Sequence, residues 1–259
     1  MSLILKSFKD QIGTITLNNE EKRNALSTPL LLEMVEAFQK FRKLKARVVI
    51  IRANPGVKVW SSGFNISELP ESGRDPLSYN DPLELVFREI QRFPAPVIAM
   101  IEGSVWGGAC EICFVSDMII GTHNSSFAIT PAKIGVPYNS TGIIHFVNIV
   151  GFHTAKEMFF TALPINAEQA KRHGILNHLV PIEELEKFTY DTARHITQNS
   201  PLSISVIKEQ LRLLGNSHPL YPETFEMIQG LRREVYDSKD YQEGKQSFIE
   251  KRKPIFRGE

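Results

Sequence analysis

The stretch EGSVWGGACEI, Glu102 to Ile112, sets two adjacent glycines ahead of an apolar segment and places one carboxylate, Glu111, three residues after the second glycine. Glycine removes the side chain, so a ligand can approach the backbone closely, and the first amides of a helix have no carbonyl partner inside it. A second glycine turn, Ser61-Ser62-Gly63-Phe64-Asn65, comes just beyond the apolar run RVVIIRA. Both read as strand-to-helix turns, able to aim free amides into one crevice at the carboxyl ends of neighbouring strands. Two amides that converge in this way form an oxyanion hole, whereas a glycine at a strand end can equally serve as a plain turn.

Other chemistries lack their signatures. The sequence has no G-x-x-x-x-G-K-[ST], no strand-linked G-x-G-x-x-G and no G-x-S-x-G, the nearest candidate being Tyr138-Asn139-Ser140-Thr141-Gly142. Nucleotide hydrolysis and serine-esterase chemistry are therefore disfavoured. Cys110 and Cys113 form one C-x-x-C within an apolar helical stretch. With no second pair, they read as small core hydrophobes in preference to a zinc or redox site. The seven histidines show no H-x-x-x-H spacing, and each, His145 among them, stands as an isolated core or surface residue. No metal is expected.

The 30 Lys and Arg against 29 Asp and Glu leave no global field for nucleic acid or for a membrane surface. The apolar LILKSF near the start is too short for a signal peptide, and no later run reaches the length of a membrane span. A soluble cytoplasmic protein is expected.

These residues need a frame to hold them. LILKSF and IGTITLN predict a hairpin; Ser27 predicts the cap of a helix that carries Leu31, Met34, Val35, Phe38 and Phe41 on one face; RVVIIRA predicts a buried strand. The polar, interrupted ELPESGRDPLSYNDP is long enough to be functional. A helix over LELVFREIQRF and a strand over PVIAMIEG lead straight to the Gly107-Gly108 helix, followed by strands DMIIGT and SFAIT and the apolar helical GIIHFVNIVGFHTAKEMFFTA. The alternation predicts an α/β core over residues 1–182. Beyond about residue 183 only helices are expected, so 183–259 form a helical appendage for assembly and for closing the site.

Five segments, EKRNALS, SSGFNISEL, GSVWGGACEICFVSDMII, SSFAITPAKIGVPYNSTG and the tail FIEKRKP, occur in order along the chain and together resemble the crotonase, or enoyl-CoA hydratase/isomerase, superfamily. EGSVWGGA, GVPYN and VYDSKDYQEG are most similar to the bacterial branch that decarboxylates methylmalonyl-CoA. The resemblance implies a crotonase-like spiral of ββα units with a C-terminal helical appendage, and a homotrimer or dimer of trimers. It implies that the thioester oxygen of an acyl-CoA is held by the N–H groups of Phe64 and Gly108. Ala25 within EKRNALS, together with Ser62, Gly63, Phe64, Asn65 and Ile66, would line the path of the coenzyme. Thr130 would lie along the acyl pocket, and Lys251 would reach the phosphates as a point charge. Coenzyme A is then part of the substrate, and no cofactor is expected.

Within that resemblance the residue types select the chemistry. Crotonase hydratases use two glutamates, one as base and one as acid; Glu111 occupies the first position, but Pro131-Ala132 stands where the family has Pro-Glu. Alanine cannot move a proton, so two-carboxylate hydration loses half its machinery. Decarboxylation of a malonyl-type thioester needs no base, because the breaking bond to CO2 leaves its electron pair behind; it needs an oxyanion hole and dry walls around the carboxylate. Tyr138 would orient that carboxylate and help return a proton, or else be a buried aromatic with its hydroxyl at the rim. The decarboxylase branch carries histidine after the first glycine, where this chain has Phe64. Methylmalonyl-CoA decarboxylation is expected, with a Glu111-based enoyl-CoA hydratase or isomerase, or a weakly catalytic acyl-CoA-binding protein, as the alternatives.

Overall fold

The computed structural model describes residues 2–69, 78–215 and 221–259. The polar loop ELPESGRDPLSYNDP lies largely outside these residues. Strands β1 (Ile4–Lys9) and β2 (Ile12–Leu17) form the expected antiparallel hairpin, turning through Asp10 and Gln11, both at positive φ. Helix α1 (Thr28–Lys43) then crosses over to β3 (Val48–Ala53), which pairs parallel with β2. Ser27 stands at the N-cap of α1 without a side-chain capping bond; the Thr28 N–H is instead taken by Glu68 Oε2 at 2.8 Å. The start of α1 is thereby fastened to the segment after the first glycine turn.

The chain next alternates between two sheets. After β3 it enters β4 (Val59–Ser61) in the second sheet, and α2 (Pro82–Arg92) returns it to β5 (Val97–Ile101) in the first. It crosses again to β6 (Ser104–Trp106), runs through α3 (Gly108–Phe114) and repeats the step with β7 (Met118–Thr122), β8 (Ser126–Ala128) and α4 (Ser140–Thr161). This is the spiral of ββα units. The strand PVIAMIEG therefore does not lead straight into the glycine helix: β6 intervenes. Three residues are too few to show a period in the sequence, and β6 exists because β4 and β8 flank it. Then come β9 (Ile165–Asn166), α5 (Ala167–Arg172) and β10 (His178–Val180), so that the sheets read β1-β2-β3-β5-β7-β10 and β4-β6-β8-β9.

Side chains that alternate along β3 and β5 explain why both runs are apolar throughout. Val49, Ile51, Val97 and Ala99 point into the main core between the sheets and the helices α1 and α2; Val48, Ile50, Ile98 and Met100 point to the opposite face. That face is covered by α6 (Leu185–Thr197) through Leu185 and Ala193. Full burial of each Val or Ile stabilises by about 1.5–3 kcal/mol. Cys110 and Cys113 are fully buried in the main core, as expected of small hydrophobes.

Three further helices complete the chain, α7 (Pro201–Gly215), α8 (Pro222–Tyr236) and α9 (Lys239–Ile249). An ion pair pins α7: the buried Lys208 Nζ donates to Asp117 Oδ2 at 2.7 Å and to the carbonyls of Ile90 and Ala95. Helix α9 packs on the turn over residues 131–134 so closely that a Cβ on Gly244 would fall 2.2 Å from the Ile134 carbonyl oxygen. No helix among the described residues is long and apolar enough to cross a membrane.

Candidate active site

The two glycine turns meet. Gly63 has φ +86°, and a Cβ there would lie 2.5 Å from the carbonyl oxygen of Trp106, so only glycine lets the first turn rest against the residue that precedes the second. Gly107, at φ +52°, takes a conformation that few other residues tolerate and opens α3. A Cβ on Gly108 would fall 3.8 Å from the Phe64 nitrogen, so the Phe64 amide and the start of α3 face each other at short range. Among the described residues the N–H groups of Phe64 and Gly108 have no hydrogen-bond partner, whereas their neighbours do: Gly63 N–H donates to Ser61 Oγ, Asn65 N–H to the Leu26 carbonyl and Gly107 N–H to the Ala128 carbonyl.

EKRNALS is stitched to the first turn. Ser62 N–H donates to the Arg23 carbonyl and Leu26 N–H to the Gly63 carbonyl. Asn24, fully buried, donates from Nδ2 to the Trp60 carbonyl and accepts on its own carbonyl from Ser61 Oγ. These bonds bring Ala25 next to the segment 62–66, with Leu26 bridging Phe64.

A cavity of about 80 Å³ opens at the junction, with Ser62, Phe64, Ile66, Gly108, Thr130 and Tyr138 in its wall. Leu83 of α2, Pro131, Ile134, Val136, Pro137 and Tyr236 of α8 close it, so one C-terminal helix contributes directly to the wall. Ala132 is exposed and lies outside this wall. Lys251, just past α9, is exposed with φ +54° and also lies outside it.

Glu111 is fully buried and is not in the wall either; Tyr138 stands between it and the cavity. The Tyr138 hydroxyl donates to Glu111 Oε2 at 2.7 Å, and His145 Nδ1 lies 3.0 Å from Glu111 Oε1. Burial, and then the adjacent Glu111 carboxylate, hold the Tyr138 hydroxyl far above its ordinary range, so it stays protonated. The loop bearing Tyr138 is fixed at the start of α4, where the Asn139 side chain caps Gly142 N–H and donates to Glu84 of α2. Phe146 and Phe159 pack edge-on and tilted against the Tyr138 ring, with centroids 5.7 and 5.1 Å away.

His145 is the residue that reading the sequence missed. In the sequence it stands isolated because its partner is 34 positions away, and the packing of α4 on α3 joins them. A histidine in the first turns of the apolar helical run that follows Tyr138 is the one available signal.

The Enoyl-CoA hydratase/isomerase family profile matches residues 7–259. The chain belongs to the enoyl-CoA hydratase/isomerase family. Among curated members, methylmalonyl-CoA decarboxylase of Escherichia coli K12 is 51% identical over 249 residues, 96% of this chain and 95% of that one. Carnitinyl-CoA dehydratase of Salmonella typhi is 31% identical, covering 94% of each chain. A solved structure of methylmalonyl-CoA decarboxylase in complex with 2-nitronate-propionyl-CoA superposes with a TM-score of 0.97 at 49% identity, over 99% of both chains. As a member of this family the protein has the two-sheet spiral and C-terminal helices described above, and the meeting glycine turns lie at the heart of its fold.

Proposed function

We propose that the protein decarboxylates a malonyl-type CoA thioester, converting methylmalonyl-CoA to propionyl-CoA, with the enolate oxygen held by the N–H groups of Phe64 and Gly108. The observation that carries this reading is the position of Glu111 behind Tyr138. The described wall of the acyl cavity contains no carboxylate, and the polar side chains it does carry, Ser62, Thr130, Tyr138 and Tyr236, are neutral hydroxyls. That suits a reaction in which no base removes a proton. The 51% identity to a methylmalonyl-CoA decarboxylase supports the same substrate.

In this mechanism the bond between the α-carbon and the carboxylate breaks, its electron pair moves into the thioester carbonyl, and CO2 leaves. Each of the two amides stabilises the developing oxyanion; losing one such donor typically costs about 2.7–4 kcal/mol. Apolar Leu83, Ile66 and Phe64 in the wall favour neutral CO2 over the carboxylate. The α-carbon takes its proton from a water molecule, the hydroxide left behind being taken up by the released CO2 or by solvent, and the Tyr138 hydroxyl, which stays protonated in the cavity wall, orients that water. Phe64 contributes its amide to the hole and its ring to the dry wall, so the acyl pocket needs no imidazole there. Ala25 and residues 62–66 line the coenzyme path, Thr130 flanks the acyl group, and Lys251 pairs with the coenzyme phosphates.

We further propose that residues 183–259 serve in closing the site and in assembly into a homotrimer or dimer of trimers in the cytoplasm. Tyr236 in the cavity wall supports the first role; the exposed stripe of Leu202, Val206 and Leu213 on α7 supports the second. Coenzyme A enters as part of the substrate, and no separate cofactor takes part.

The test is to follow CO2 release from methylmalonyl-CoA and malonyl-CoA, and enoyl absorbance with crotonyl-CoA. Glu111→Gln should keep CO2 release within about tenfold, because its amide can still accept from His145 and can donate to the Tyr138 oxygen. Tyr138→Phe should lower kcat by about ten- to a hundredfold. A dead Glu111→Gln beside an unimpaired Tyr138→Phe, or activity confined to crotonyl-CoA, overturns the reading in favour of a Glu111-based hydratase.

A further inference from the structure

The hydrogen bond between Tyr138 and Glu111 is one link of a longer chain. Glu111 Oε1 faces His145 Nδ1 at 3.0 Å, and His145 Nε2 in turn faces the Nε2 of Gln91 on α2 at 2.9 Å. Four elements, α2, α4, α3 and the loop before α4, thus contribute one side chain each to a line running from Gln91 to the cavity wall. Glu111 is fully buried and has no access to bulk water, while His145, 8% exposed, borders with Gln91 a separate cavity of about 500 Å³.

The donors and acceptors along this line fix one another. A carboxylate only accepts, so Glu111 requires the proton of the imidazole on Nδ1. A neutral imidazole protonated there offers Nε2 as an acceptor, and the Gln91 amide nitrogen, which only donates, meets that nitrogen. Both constraints select the same tautomer. Glu111 then has one donor on each oxygen, so the carboxylate cannot swing away from Tyr138 without leaving a buried polar group unpaired.

We infer that His145, held in its Nδ1–H tautomer between Glu111 and Gln91, is a positioning residue that fixes Glu111 and, through it, the hydroxyl of Tyr138 at the acyl cavity. The kinetic half of this inference rests on the decarboxylase reading; the tautomer does not. Neither His145 nor Gln91 touches the acyl cavity, so the effect on turnover is indirect.

Two measurements test it. Nitrogen-15 NMR of histidine-labelled protein, without substrate, should show His145 protonated on Nδ1 alone; Gln91→Met should shift the Nε2 resonance by removing its donor while Nδ1 stays protonated against Glu111. An Nε2–H tautomer or an imidazolium in the unaltered protein overturns the inference whatever the substrate proves to be. With methylmalonyl-CoA, His145→Leu should lower kcat by about ten- to a hundredfold with KM within about twofold. His145→Asn, whose amide nitrogen falls where Nδ1 sat, should recover most of the loss.

A purely structural role would not produce the next result: in a Tyr138→Phe background, His145→Leu should cost less than about a further twofold, because its effect passes through the missing hydroxyl. Losses that multiply in full, or a His145→Leu enzyme with unaltered kcat, overturn the inference. Should His145→Leu fail to fold, Gln91→Met carries the same cycle, with a smaller loss of about two- to fivefold that again vanishes in Tyr138→Phe. Failure of the parent enzyme to release CO2 would refute the substrate reading alone, since the NMR result stands apart from it.

Discussion

Gly142 provides the most direct test of how Tyr138 is held. It occupies the third position of α4, one turn after Tyr138, where its N–H is capped by Asn139. By helix propensity alone alanine would be favoured there by about 1 kcal/mol. Space forbids it. A Cβ on Gly142 would lie 2.3 Å from Tyr138 Cε1, 2.8 Å from Glu111 Oε2 and 2.9 Å from Asn139 Oδ1. To regain an ordinary 3.4 Å contact the tyrosine ring must retreat by about 1.1 Å. Phe146 and Phe159 stand in contact with that ring, so the shift spreads into the core. Overpacking of this kind costs about 1–3 kcal/mol, which exceeds the gain in propensity, so Gly142→Ala should be net destabilised yet folded. A displacement of about 1 Å in a positioned group costs about a hundredfold in rate. The expected result is therefore a folded enzyme with a lower melting temperature and kcat for methylmalonyl-CoA down by one to two powers of ten. A Gly142→Ala enzyme with kcat within about twofold of the parent would show that the position of the Tyr138 ring does not govern turnover.

Gly108→Pro removes one of the two proposed oxyanion donors at the first position of α3, where proline is compatible with a helix, so the protein should fold and lose turnover; normal activity in the folded variant would displace the hole from Gly108. Burial pushes the Cys110 thiol up to about 12 and the Cys113 thiol well above its usual range, so neither should react with iodoacetamide at pH 8 until denaturant is added; rapid labelling of the native protein, read by mass spectrometry, would contradict the packing of α3. Light scattering at micromolar concentration should give the mass of a trimer or hexamer, and a monomer would leave the exposed apolar stripe of α7 unexplained.

Much of the frame was legible in the sequence because it rests on short-range periodicity. The continuous apolar runs of β3 and β5, the hairpin of β1 and β2 and the one-sided face of α1 follow from side-chain direction in strands and helices, and all stand where expected. The family was legible too, in five motifs that keep their order. What the sequence could not show is what distant segments impose on one another. Strand β6 is three residues that become a strand only between β4 and β8. Gly63 and Gly107 look like any turn glycines until Gly63 is found against the carbonyl of Trp106. Glu111 reads as a candidate base in the sequence, and the fold buries it behind Tyr138 with His145 on its other oxygen. Hydrogen bonds between side chains 27 and 34 positions apart leave no local pattern. Residue type determined which groups could donate, accept or stay neutral; the packing of α3 against α4 decided which of them face the cavity, because only there does burial leave each polar atom a single available partner.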